Sequence, residues 1–195
     1  MSADHQFGAA LRSLHATMSE LALPWMVIGG VAVIAAGVPR ETIDVDAAVL
    51  GRGSDLDALL SALGRNGIVP RIENAREFAR ERQVLLLRHE ESGVTMEISF
   101  AWLPFEEQAL ARANRLDVDG LLVPIAQPED LMVYKVTAWR ERDRADVERL
   151  LILHLKSIDV ERVRALIVEI AQVLDDPERV AAFDALVARA RKAQC

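Results

Sequence analysis

A glycine pair closes the apolar run Trp25-Met26-Val27-Ile28-Gly29-Gly30, and two aspartates alternate along the next one, Asp44-Val45-Asp46-Ala47-Ala48-Val49-Leu50. The first run is short and cut by glycine, so it reads as a buried strand feeding a tight turn. Val31 to Ala36 then reads as a short apolar helix, stopped by Gly37 and Pro39. In the second strand, side chains two apart share a face with Cα atoms about 6.5 Å apart. Asp44 and Asp46 therefore project together, and Val45, Ala47 and Val49 go to the opposite, buried face.

Each feature alone has an ordinary explanation. Asp-x-Asp can be the wet face of an amphipathic edge strand, and Gly29-Gly30 a simple turn. Together they supply what phosphoryl chemistry needs. Glycines at a strand-to-helix junction let backbone N–H groups approach a phosphate, and the helix N-terminus adds favourable partial charge. Two carboxylates on one face can hold Mg²⁺ or Mn²⁺, hard cations that take oxygen ligands and bridge to phosphates. Paired metals about 3.5–4 Å apart serve both the attacking and the leaving oxygen.

The rest of the chain predicts an α/β (α+β) fold. Phe7, Leu11, Leu14, Met18 and Leu21 recur at helical spacing, with Pro24 ending that helix. Leu56–Leu63 reads as helical, with Ser54 as N-cap, Asp57 at the third helical position and a stop at Gly64 or Gly67. Residues 71–83 are charged and carry no clear period. Val84–Arg88 and Val94–Phe100 form a hairpin around Glu90-Glu91-Ser92-Gly93. Phe105–Ala113 reads as a helix, followed by a small hairpin turning at Asp119-Gly120. Beyond Pro128 strand signals stop, and helices are expected over 129–140, 144–155, 160–174 and 177–192, with Asp159 capping the third. The expected organisation is a small mixed-sheet core flanked by helices over 1–125, with a helical part over 126–195 packed on it.

Glu97 is the third candidate acid. It shares a strand face with Thr95 and Ser99, while Val94, Met96, Ile98 and Phe100 take the other. A carboxylate there either faces solvent on a half-exposed sheet, or completes a metal site or acts as general base.

At these residues the chain resembles the DNA-polymerase-β-like nucleotidyltransferase superfamily: a Gly-Gly turn, a short helix, Asp-x-Asp on a strand and a third acid on a later strand. Arg40 and Thr42 match the Arg-x-Thr-x-Asp-x-Asp form of one branch, which holds AbiEii-like toxins of type IV toxin–antitoxin systems. Pro128-Glu129-Asp130-Leu131 through Lys135, Arg140, Asp143 and Asp146 resembles the downstream motif of that branch. The resemblance spans roughly residues 25–150. It implies a nucleotidyltransferase that uses a nucleoside triphosphate such as ATP, with Asp44, Asp46 and Glu97 as catalytic metal ligands. Gly29, Gly30, Arg40, Thr42 and Lys135 would be nucleotide-binding residues, with Asp143 or Asp146 in support. The more usual third acid is Asp; Glu97 is one methylene longer. The implied acceptor is a tRNA 3′ end or a protein hydroxyl, and the implied partner a cognate antitoxin. The alternatives are an aminoglycoside- or lincosamide-modifying enzyme and a non-catalytic nucleotide-binding module. An acidic cleft around Glu106, Glu107, Asp117 and Asp119 would favour a cationic drug; Arg71–Arg88 beside Asp44 would favour RNA.

Composition sets the outer bounds. A formal net charge of −7 argues against a surface that coats nucleic acid through excess Lys and Arg. Five arginines between Arg71 and Arg88 are interleaved with Glu73, Glu77 and Glu81, which reads as a mixed solvated face or a local basic patch. The single cysteine, Cys195, gives no disulfide framework, which suits a cytoplasmic chain. No signal peptide shows, and no apolar stretch approaches the ~20 residues of a membrane span. The four histidines lack metal-ligand spacing and read as structural or surface residues. Trp25, Trp102 and Trp139 read as core or cleft-wall residues.

Overall fold

The structure, a computed structural model, describes residues 3–51, 56–118 and 120–194. In chain order the first elements are α1 (Ala3–Glu20), β1 (Trp25–Ile28), α2 (Gly29–Ala35), β2 (Asp44–Leu50), α3 (Leu56–Arg65) and β3 (Ile68–Pro70). Then come α4 (Ala75–Arg82), β4 (Val84–His89), β5 (Thr95–Ala101), α5 (Pro104–Ala111), β6 (Asn114–Val118) and β7 (Leu121–Ile125). The helices α6 (Pro128–Ala138), α7 (Glu141–His154), α8 (Val160–Val173) and α9 (Glu178–Ala193) follow. Ser54 and the Asp119 side of the last hairpin lie outside the described residues.

The strands form one mixed sheet in the order β3-β4-β5-β2-β1-β7-β6. β2 runs parallel to β5 and β1 parallel to β7, while the other neighbours are antiparallel. Alternation does what the sequence implies: Val45, Ala47, Val49, Met96, Ile98 and Phe100 are buried, and Asp44, Asp46, Thr95, Glu97 and Ser99 are half-buried on the other face. On the inward face α1 packs against β2, β7 and α3. A hydrogen bond from the β4 histidine to α1, His89 Nε2 to Ser13 Oγ at 3.0 Å, crosses that layer.

Several elements differ from expectation for local reasons. α2 begins at Gly29, not Val31, because the glycine pair itself forms the first helical turn. α1 closes at Glu20, where Leu23 N–H bonds back to the Met18 carbonyl. Of the two candidate stops for α3, the chain reverses at Gly67, in the left-handed region at φ +69°. The charged segment contains α4, which buries only Ala75 and Ala79, so its apolar stripe is too thin to read as a period. Trp102 is not a core residue: it is 53% exposed, since Phe100 and Ala101 take the buried positions at the end of β5.

The chain divides into two compact units. One comprises 1–31 and 41–126 and holds the sheet. The other comprises 127–195 together with 32–40, the stretch that follows the first turn of α2. In this second unit α6 packs on α7 and α8, and α9 on α7 and α8, around Leu131, Met132, Val136, Leu150, Ile167 and Phe183. Asp159 caps α8 as expected, accepting from the Arg162 N–H at 2.9 Å. Among the described residues no helix is long and apolar enough to cross a membrane.

Candidate active site

The sheet register brings the three predicted acids together on one face. Asp46 and Glu97 are direct partners across the parallel β2–β5 ladder, and Asp44 partners Thr95 one step along. Side chains at aligned positions of neighbouring strands point the same way, so Asp44, Asp46 and Glu97 form a contiguous acidic face.

Gly29 is fitted to that face. Ile28, its chain neighbour, pairs with Asp46 across the β1–β2 ladder. Gly29 itself has φ +63°, and a Cβ placed on it would lie 1.8 Å from Asp46 Oδ2 and 2.7 Å from Asp46 Cβ. Only a glycine leaves room for the carboxylate. Gly30 is buried in the first turn of α2. Thr42 acts on the other aspartate: its Oγ1 donates to Asp44 Oδ1 at 2.8 Å, fixing that carboxylate from two residues away.

Two arginines share the acidic face. Arg88 partners Thr95 across β4–β5, in the row of Asp44. Arg71 follows β3, bonds through its N–H to the Leu86 carbonyl at 2.9 Å, and so joins the row of Leu86, Glu97 and Asp46. Its Nη2 donates to Glu97 Oε1 at 3.2 Å.

The donor set suits a hard divalent cation, since carboxylate oxygens are the ligands Mg²⁺ and Mn²⁺ take. Asp46 Oδ2 occupies the space that a Cβ on Gly29 would take. No three His, Cys, Asp or Glu side chains stand together as a metal cluster among the described residues. Glu97 is instead engaged by Arg71.

Arg40 and Lys135 lie in the second unit, each with carboxylate partners there. Arg40 Nη1 donates to Asp146 Oδ2 at 2.6 Å. Lys135 Nζ lies 3.0 Å from both Asp143 Oδ1 and Asp146 Oδ2. All four side chains are nine-tenths or more buried. Asp143 also caps α7, accepting from the Arg140 N–H at 3.0 Å. Glu129 and Asp130, the acidic helix start, pair with Arg162 at 2.8 and 3.2 Å and so tie α6 to α8. Sequence reading missed these partners because they stand up to 106 positions away.

Two of the four acids that would have made a cationic-drug cleft have other partners. Glu106 is buried and caps α5, accepting from the Trp102 and Leu103 N–H groups at 2.8 and 2.9 Å. Asp117 accepts from Gly120 N–H at 2.7 Å, inside its own hairpin. Asp119 lies outside the described residues.

A family model described as a nucleotidyltransferase of unknown function (DUF6036) matches residues 9–193. No curated protein matches the chain. Among solved structures, the antibiotic-resistance factor ANT(2″)-Ia is similar at 17% identity and TM-score 0.56, over 86% of this chain and 92% of that one. An antigenic nucleotidyltransferase-like protein from Paracoccidioides brasiliensis is similar at 18% identity and TM-score 0.53, over 95% and 94%. A putative nucleotidyltransferase from H. pylori is similar at 14% identity and TM-score 0.52, over 99% and 97%. These likenesses show a shared fold.

Proposed function

The chain belongs to the DUF6036 family of nucleotidyltransferases, and from that premise we propose that it moves a nucleoside monophosphate from a nucleoside triphosphate to a hydroxyl of RNA. The observation that carries the reading is the pairing of Asp46 with Glu97 beside a glycine that no other residue could replace. In the reaction the acceptor oxygen forms a new bond to the α-phosphorus. The bond from that phosphorus to the α,β-bridging oxygen breaks, and pyrophosphate leaves with its electron pair. The acceptor's proton passes to Glu97, a carboxylate to which we give two roles, base and third acid toward the metal. Asp44 and Asp46 would hold Mg²⁺ or Mn²⁺, which when bound neutralises phosphate charge and lowers the acceptor's pKa. Thr42 orients Asp44, and the Gly29-Gly30 turn offers backbone N–H groups to the phosphates.

To Arg40 and Lys135 we give no step in the transfer. Each already serves Asp146, and with Asp143 the two cations and two anions balance. Their part is to hold the α6–α7 turn.

The acceptor is inferred from charge. Arg71 and Arg88 flank the acids, which suits an anionic acceptor despite the chain's net charge of −7. The aminoglycoside alternative loses Glu106 and Asp117 to structural duties. In the toxin setting that the sequence resemblance implies, a cognate antitoxin would be the protein partner.

The test is incubation with each α-labelled triphosphate, Mg²⁺ and total cell extract. Label should enter RNA, and Asp46→Asn should abolish transfer. Unchanged transfer by Asp46→Asn refutes the site; label in protein or small molecules refutes the acceptor.

A further inference from the structure

The Arg71–Glu97 pair stands in the row that carries the chemistry, so its consequences reach the acids directly. Arg71 meets Glu97 across Leu86, the residue between them in that row. Both side chains are partly open, at 32% and 43%. Arg71 engages Oε1 of Glu97, and a divalent cation taken by the same carboxylate would repel the guanidinium beside it, so a cation and Arg71 compete for Glu97. We propose that Arg71 is a latch on the third acid. It occupies Glu97 until a divalent cation takes that carboxylate, and once displaced it offers its guanidinium to a phosphate of the substrate.

The inference rests on the metal reading of Asp44 and Asp46 above. Three physical points carry it. An exposed ion pair is worth only about 0.2–1 kcal/mol, so a divalent ion can displace it. The planar guanidinium fork matches phosphate as well as carboxylate, so the displaced side chain has a second suitable partner on the same face. Because the two events share one side chain, metal and phosphate must then favour each other's binding by the same factor. Arg71 is by this account a positioning residue toward the metal and a binding residue toward the substrate.

The test measures Mn²⁺ affinity of the full chain from the electron paramagnetic resonance signal of free Mn²⁺. Arg71→Gln should bind Mn²⁺ about two- to fivefold more tightly than the wild type, the range an exposed pair can withhold. Arg88→Gln removes the same charge from the same face without touching the pair, and should give less than half that gain. Combined with Glu97→Gln, the Arg71→Gln change should have no further effect. At saturating Mn²⁺, tripolyphosphate should bind Arg71→Gln at least about fivefold more weakly, the loss of a charge-assisted contact. Unchanged or weaker Mn²⁺ binding by Arg71→Gln overturns the latch, as does an equal gain in Arg88→Gln or unaltered tripolyphosphate binding. If Asp46→Asn abolishes Mn²⁺ binding while Arg71→Gln changes nothing, only the latch falls. If Asp46→Asn leaves Mn²⁺ binding intact, the metal reading falls and the latch with it.

Discussion

Substituting Gly29 by alanine adds one methyl group at the point of closest approach to the acids. The new Cβ would stand 1.8 Å from Asp46 Oδ2, and ordinary contact begins at 3.4 Å, so the carboxylate must retreat by about 1.6 Å. A rotamer change cannot relieve this, because Asp46 Cβ is itself 2.7 Å from the added atom. The β2 backbone would have to move, and it is fixed there on both sides, by Ile28 in β1 and Glu97 in β5. Left-handed backbone adds about 1–2 kcal/mol of strain for any residue with a Cβ. Misplacement of a reacting group by about 1 Å costs on the order of 10²-fold in rate. We expect Gly29→Ala to lose at least about 10²-fold in kcat for nucleotidyl transfer, with a lower urea midpoint from the strain and the displaced strand together. Gly67→Ala separates strain from clash: its φ is +69° but nothing lies within 4 Å of the added methyl. It should lose the strain alone, less stability than Gly29→Ala, and keep full activity. Near-normal turnover by Gly29→Ala, or equal loss in both variants, would refute the reasoning.

Thr42→Val removes the hydroxyl that orients Asp44 at 2.8 Å, and should lower kcat about tenfold, as expected for a hydrogen bond to a charged group, with circular dichroism unchanged. Lys135→Met leaves Asp143 and Asp146 short of a cation in a buried cluster, and should cost about 3–5 kcal/mol in a denaturant titration; retention of wild-type stability would show that the pair is not coupled to folding. His89 titrates below the ordinary histidine range, chiefly because burial disfavours the imidazolium, with Glu91 and Glu90 opposing. Its contribution to stability is therefore present above the unfolded pKa of about 6.5 and is lost as pH falls through the folded value. Thermal melts of the wild type should weaken through that acidic window, and His89→Gln should flatten the dependence.

The acids were legible in the sequence because a strand period of two needs no tertiary knowledge: Asp44, Asp46 and Glu97 each declare a face by their apolar neighbours. That Asp46 stands beside Glu97 was not legible, since the β2–β5 pairing joins strands separated by α3, β3, α4 and β4. β3 was missed because three residues are too few to show alternation. Trp102 was misread because aromatic character was weighed above its position after two consecutive buried residues. That Arg40 meets Asp146 and Lys135 meets Asp143 was not legible, because charge along a chain says nothing of which carboxylate will meet it.

The segment Ala32–Arg40 belongs to the helical unit although the chain visits the sheet before and after it. Ala32, Val33 and Val38 are buried, the Ala36 carbonyl bonds to His154 Nε2 at 2.7 Å, and Arg40 waits on Asp146. During synthesis these residues leave the ribosome well before their partners exist. The 106 positions between Arg40 and Asp146 correspond to about 5–20 s of elongation at typical rates. Until then a short greasy stretch next to the glycine turn stays uncovered, an opening for chaperones and proteases. Neither unit can be excised by a single cut, and a nascent chain truncated near residue 126 would carry the acids yet lack the cover for the stretch between them and Gly29.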